Sequence, residues 1–392
     1  MDDRIILGLT VSLFLSVYVT AAALAVTVGY LIKKGMLGEI IRTVPRGKAL
    51  VAFALLGAAV SLLRGNWVGL LASAGVLCVA LVALYVRSIM TRPLLKRVIR
   101  TACVASILCL PVAIVQLALS GDPSFRAPAT FENPNYYAAI LEFVFLVCVN
   151  QLMMPGSRGE KLLYSMTLAA NLVSLYICNC RSSLMVVMIV TPVLLLIHRR
   201  YRWAAVDLVA SLAVMLLLKV EPGLFQRMEE SGHDFLVRQS IWENALKGFL
   251  ETPLLGRGPL GYIELARTQG LTFRVHAHNV ALDLLLNYGL MGASLLAVYF
   301  SGVGKTLWML LKTKADNHLC AMALGLVAAV AVHGVADVTI FSLQVGLLFA
   351  LLIGCTGVYE RDWVGQRVYR FHPKSVQAAD TDAAMRLRNR KG

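Results

Sequence analysis

Two histidines and an asparagine, His276, His278 and Asn279, stand at the mouth of an apolar run that continues to Gly292. An imidazole titrates near neutral pH, so a histidine so placed is suited to taking a proton from a hydroxyl. Beside a membrane a lone histidine is usually only an interfacial residue. Here a polar stripe stands behind it, because Asn279, Asp283 and Asn287 recur at i, i+4 and i+8 on one helix face. Two arginines add anion chemistry. Arg181, in CNCRSSL, lies between two apolar segments, and its planar fork suits phosphate better than a snorkelling role requires. Arg238 opens RQSIWENALKGF, where Ile241, Ala245, Leu246 and Phe249 predict an amphipathic helix that ends before Thr252-Pro253. Near a helix N-terminus, backbone N–H groups favour anions too.

Further polar residues gather in the same connections. In FENPNYY, Asn133-Pro134 predicts a turn and Asn135 a helix cap. Glu142 falls inside the next apolar segment, where a carboxylate is costly and tends to be paired or functional; Arg181 is a candidate partner. His333 and Asp337, four residues apart, form another candidate pair. Arg257 belongs to a Pro/Gly turn that links the two halves of the polar set.

Three familiar strings fail on context. GRGPLG (256–261) fits GxGxxG but follows no strand and reads as a turn cluster. GVGKT (302–306) has Tyr299 where a phosphate loop needs its first glycine. His276 and His278 make HxH, yet no Cys, Asp or Glu cluster in the sequence completes a metal shell, so no metal and no cofactor are expected.

The elements that must position these residues are membrane helices. The chain has 392 residues, 58% hydrophobic and 15% charged, with long apolar runs from Ile5 to Val358. A soluble chain carries about a quarter charged residues, so the bilayer is the expected solvent. The net charge of +15 reflects basic loops rather than nucleic-acid binding, since no basic stripe has interleaved aromatics. The eight cysteines fall mostly within apolar runs, without a disulfide-like framework. Eleven apolar segments are legible; the first, Ile5–Ile32, reads as one retained helix, and 280–311 exceeds a single span.

Alternate short connections carry eighteen Lys and Arg, against only Arg4, Arg64, Arg126 and Arg181 in the others. The rich set is expected in the cytoplasm. Eleven spans then put the N-terminus outside. The expected organisation is N-terminal spans at 1–219, an external loop at 220–278, C-terminal spans at 279–358 and a basic, polar cytoplasmic tail at 359–392. Counted from Lys219 to His278, the connection balances seven basic with seven acidic residues and holds Trp242, Phe249 and Tyr262, as a folded cap does.

These features together resemble the O-antigen ligase / O-antigen polymerase family over roughly residues 125–345. The resemblance rests on His278-Asn279, nine positions, then Gly289-Leu290-Met291-Gly292. Upstream, Arg238, Trp242 and Ala245 give R-x3-W-x2-A, and Pro253, Gly256 and Gly258 give P-x2-G-x-G. The NPN segment and Arg181-Ser182-Ser183 match as well. The external loop is shorter than in many ligases of the family.

The resemblance implies an all-α, GT-C-like polytopic membrane protein of about 11–12 transmembrane helices with one partly helical periplasmic loop. It implies a metal-independent, inverting glycosyltransferase of the bacterial inner membrane. The donor would be a glycan on undecaprenyl diphosphate, and the acceptor a lipid A-core sugar or the next lipid-linked repeat; no obligate protein partner is implied. His278 would be the general base, and Arg181 and Arg238 the diphosphate clamp. Supporting or substrate-binding roles would fall to His276, Asn279, Asp283, Asn133, Asn135, Glu142, Arg257, His333 and Asp337. The competing expectation is a multispan transporter or flippase of a lipid-linked glycan. That reading requires polar residues along a path to both faces, whereas this set gathers at one.

Overall fold

The computed structural model describes residues 2–122, 124–221 and 231–364, with the backbone alone at 231–234 and 361–364. The described residues contain helices and no strand, and the chain is an all-α polytopic membrane protein. Residues 365–392 of the expected tail, and 222–230 of the expected loop, lie outside the described residues.

Two antiparallel helices, α1 (Asp2–Ser12) and α2 (Val17–Lys33), replace the single helix expected from Ile5 to Ile32. No Gly or Pro marks their reversal. Side-chain hydroxyls hold it instead: Ser16 accepts from the Val19 amide at 3.2 Å, and Thr20 donates to the Ser12 carbonyl at 2.9 Å. The hairpin brings Asp2 to the Tyr30 hydroxyl (2.9 Å) and Asp3 to Arg97. The N-terminus therefore shares a bundle end with Lys33, Lys34 and Arg97, contrary to the expectation from eleven spans.

α3 (Leu37–Thr43) bends 95° from α2 along that basic end. There follow α4 (Gly47–Leu63), α5 (Trp67–Ile89), α6 (Arg92–Ser120), α7 (Pro134–Leu152), α8 (Arg158–Cys178), α9 (Arg181–Ile197) and α10 (Tyr201–Val220). Two cap helices, α11 (Ser231–Glu251) and α12 (Gly261–Gln269), precede α13 (Val280–Thr313), α14 (Asn317–Gly334), α15 (Leu343–Ile353) and α16 (Gly357–Val364). Among the described residues, eight helices are long and apolar enough to cross a membrane, and the bent α2–α3 pair makes up to nine. The expected 11–12 spans are reached only with the shorter apolar α4 and α9 included.

α7 is buried on every side and forms the centre of the bundle, 78% of its apolar window buried; α10 lies outermost, with 11%. Lipid is as apolar as leucine, so polar contacts contribute much of the cohesion between spans. Ser106 donates to Asn171 (2.6 Å), Asn171 to the Leu141 carbonyl (3.3 Å), and Tyr137 meets Ser174 (3.1 Å). At the basic end, Arg87 grips Glu360 through two guanidinium nitrogens, and Thr306 donates to the same carboxylate at 2.8 Å. Tyr359 and Glu360 are buried there, so the first residues assigned to the tail are part of the bundle.

At the opposite, polar end, α13 is two helices joined at a kink. Gly289, with φ 61° and ψ −168°, breaks it in a conformation that essentially only glycine adopts. The 253–258 turn is laid into the break. Leu290 and Met291 amides donate to the Pro253 and Leu254 carbonyls (2.8 and 3.0 Å), and Arg257 and Gly258 amides to Leu286 and Asn287 carbonyls (both 2.8 Å). A Cβ on Gly289 would lie 2.4 Å from the Leu254 oxygen. Gly289 is thus the point at which the cap is clasped to α13, while Gly292 lies against the Tyr288 side chain of its own helix.

Candidate functional site

The clasp fixes the backbone that presents His278. α11, α12 and the start of α13 share a small apolar core of Ile241, Ala245, Tyr262, Leu265, Ala277 and Leu286. Ala277 is buried in it, and its amide donates to the Asp283 carboxylate at 2.8 Å. Asp283 accepts in turn from Asn287 (2.7 Å), whose own oxygen receives the Gly261 amide (2.9 Å). The polar stripe read from the sequence is therefore a fastener for the histidine loop. Asn279 caps α13, accepting from the Ala281 and Leu282 amides, and donates to the Val335 carbonyl at 3.1 Å. Between these anchors His278 is held at φ 49°, left-handed for a residue with a Cβ, at a cost of about 1 kcal/mol or more. The Trp242 indole donates to its carbonyl at 3.3 Å.

The partner of His278 comes from the turn after α14. Its Nδ1 lies 3.2 Å from Oδ1 of Asp337, a nearly buried carboxylate that also receives the Val338 amide (2.9 Å). Asn135 donates to the other carboxylate oxygen at 2.7 Å. Arg126 donates to the Asn135 oxygen and, through Nε, to the Cys178 carbonyl at 2.9 Å. Burial pushes the Asp337 carboxyl up, but the His278 hydrogen bond and the imidazoles of His276, His278 and His333 outweigh it, and the group falls well below the usual carboxylate range. An ionised carboxylate only accepts, so the His278 proton belongs on Nδ1, leaving a lone pair on Nε2. Beside it, His276 packs edge-on with ring centroids 4.3 Å apart. Burial, aided by His278, pushes the His276 imidazole down to about 4 against the pull of Asp337, so it is neutral at neutral pH.

Several pairings differ from those expected. His333 does not pair with Asp337 through its side chain; its Nδ1 lies 3.0 Å from Glu142, with Ser183 at 3.5 Å, and all three are buried. Its backbone holds Asp337 directly, the Asp337 amide donating to the His333 carbonyl at 3.1 Å. Glu142 thus has His333 opposite it, where Arg181 was the candidate. Asn133, not Asn135, caps α7, accepting the Asn135 amide at 2.8 Å, which frees the Asn135 side chain to link Arg126 and Asp337. Arg181 is the first residue of α9 and partly buried. Arg238 lies two turns inside α11, away from the helix terminus, so the free N–H groups expected near it are absent there. Arg257 is buried between Glu251 and Glu264 and makes no contact with the His278–Asp337 pair. His276, His278 and Asp337 offer donor atoms within 4.8 Å of one another, so the fold supplies the carboxylate that the sequence around HxH lacks.

Sequence reasoning passed over Arg126, Trp242 as a support for His278, and Ser183. Arg126 had a signal: it is one of four basic residues in connections otherwise free of them. The assembled site offers an imidazole with a fixed tautomer, a buried carboxylate behind it and arginines on neighbouring elements, which is the equipment for deprotonating a hydroxyl near an anionic group. The family model that describes O-antigen ligase matches residues 166–297. No curated protein matches the chain.

Proposed function

We propose that His278 is the general base of an inverting, metal-independent glycan transfer, a reading supported by the match of residues 166–297 to the family model that describes O-antigen ligase. The observation that carries this reading is the His278–Asp337 pair: a strained, polar-anchored histidine whose Nδ1 is engaged and whose Nε2 is left to take a proton. In one displacement the acceptor oxygen attacks the anomeric carbon, its proton passes to His278, and the bond to the diphosphate breaks with inversion. Arg181 and Arg238 neutralise the leaving diphosphate, work that guanidinium forks do without a metal. Asp337 orients His278; Asn135 and Arg126 orient Asp337. His276 and Asn133 contact acceptor or donor sugars. Asn279, Asp283 and Arg257 hold the loops, and Glu142 with His333 secures the turn that carries Asp337.

The donor is a glycan on undecaprenyl diphosphate and the acceptor a lipid A-core sugar or a lipid-linked repeat. By the positive-inside rule the basic end, with the C-terminus, is cytoplasmic, and the site faces the periplasm from a GT-C-like bundle in the bacterial inner membrane. The test is transfer by the purified protein in nanodiscs, with lipid-diphosphate glycan, acceptor and EDTA. Wild type transfers, and His278→Ala, equally well inserted, loses about 10²–10⁴-fold in rate. Full transfer by that variant overturns the base assignment; movement of the lipid without any transfer favours a carrier.

A further inference from the structure

We propose that His276, His278 and Asp337 form an inhibitory site for a divalent transition-metal ion of the zinc type. The inhibitory half rests on the function proposed above; the binding half stands on geometry alone. Donor atoms of the three side chains lie within 4.8 Å of one another. Zinc holds imidazole nitrogen and carboxylate oxygen at about 2.0–2.2 Å, so small side-chain rotations close the triad around one ion. The ring nitrogen Nδ1 of His276 is buried and has no hydrogen-bond partner among the described residues, so a metal would give it the partner it lacks. Asp337 is already oriented from behind by Asn135 and the Val338 amide, the support that ligating carboxylates usually have. His278 keeps 29% of its side chain exposed, which provides an entry path and leaves the fourth position open to water. Two imidazoles with one carboxylate select a zinc-like ion over calcium or magnesium.

Inhibition follows from the electrons available. A neutral imidazole has one lone pair. Bound through Nε2, the ion occupies the pair that would accept the acceptor proton; bound through Nδ1, it moves the ring proton to Nε2 and removes that pair as well. Metal-bound His278 cannot be a base in either tautomer.

The experiment uses metal-free full-length protein in nanodiscs, titrated calorimetrically with zinc chloride, alongside transfer assays. Wild type should bind one zinc per chain and lose transfer in proportion to occupancy, and EDTA should restore it. His276→Ala should weaken binding by about 100-fold or more, while His276→Cys, which offers a thiolate ligand, should retain it. Asp337→Asn should weaken binding as well. Absence of a stoichiometric site in wild type, or equal zinc affinity in wild type, His276→Ala and Asp337→Asn, overturns the site. Stoichiometric zinc without loss of transfer overturns the inhibition. Were no sample to transfer glycan, the catalytic reading would fail while calorimetry still decided the metal site.

Discussion

A base of this kind depends on which nitrogen holds its proton, and that is decided by the neighbour it touches. Asp337 is 59 residues from His278 in the chain and reaches it at 3.2 Å from a different turn. Burial alone would favour a neutral carboxyl there; the surrounding imidazoles and the His278 hydrogen bond reverse that and keep Asp337 an acceptor. Asparagine has the same shape but no charge, and its amide can turn a donor toward Nδ1, which would move the proton to Nε2. Asp337→Asn should therefore lower kcat by about 10²-fold with the donor KM unchanged, and Asp337→Glu should recover part of the loss. Steady-state kinetics on monodisperse protein checks this. A raised KM at constant kcat would assign Asp337 to binding instead. Much of the candidate site was legible at this scale, since His278, Arg181, Asn135, Glu142, His333 and Asp337 all stand out as polar residues within or beside apolar segments. Their pairing was not, because spacing along one helix says nothing of a partner on another: His333 and Asp337 looked like a pair at i, i+4, yet each is engaged across a helix interface.

At the scale of elements the site depends on the clasp between α13 and the cap. The glycine spacing was visible in the sequence, but the backbone break at Gly289 was not, because both halves of α13 continue the same apolar pattern. Alanine there meets a conformation reserved for glycine and a carbonyl at 2.4 Å. Gly289→Ala should destabilise the protein by more than about 1–3 kcal/mol, lower its melting temperature in detergent, and impair transfer because His278 hangs on the same segment. Gly304, further along α13, has nothing within 4 Å of its added Cβ and helical backbone. Gly304→Ala should be neutral or stabilise by up to about 1 kcal/mol. Equal melting temperatures for the two variants would show that the clasp at Gly289 does not stabilise the fold.

For the whole molecule the fold class was plain from composition, whereas the parity of the crossings was not. The α1–α2 reversal is built from apolar residues and a single serine cap, so hydropathy runs through it unbroken. The turn spans the bundle all the same: carbonyls of Leu13 and Phe14 accept from Gln344, in the first turn of α15, and from Thr130, just ahead of α7, at 2.8 Å each. Asp3 reaches Arg97 at the other end, where Arg87 holds Glu360. Both ends of the described chain therefore sit at the basic end, which the positive-inside rule predicts to be cytoplasmic. Epitope tags placed before Met1 and after Gly392 should both be protected from protease in spheroplasts and both be cut in inverted vesicles. A cysteine at Ser124, exposed at the polar end, should react with an impermeant maleimide only from outside. An N-terminal tag cut in spheroplasts while the C-terminal tag survives would restore an odd number of crossings. Two tags cut together, with residue 124 shielded, would turn the bundle over and put the His278 site on the cytoplasmic face.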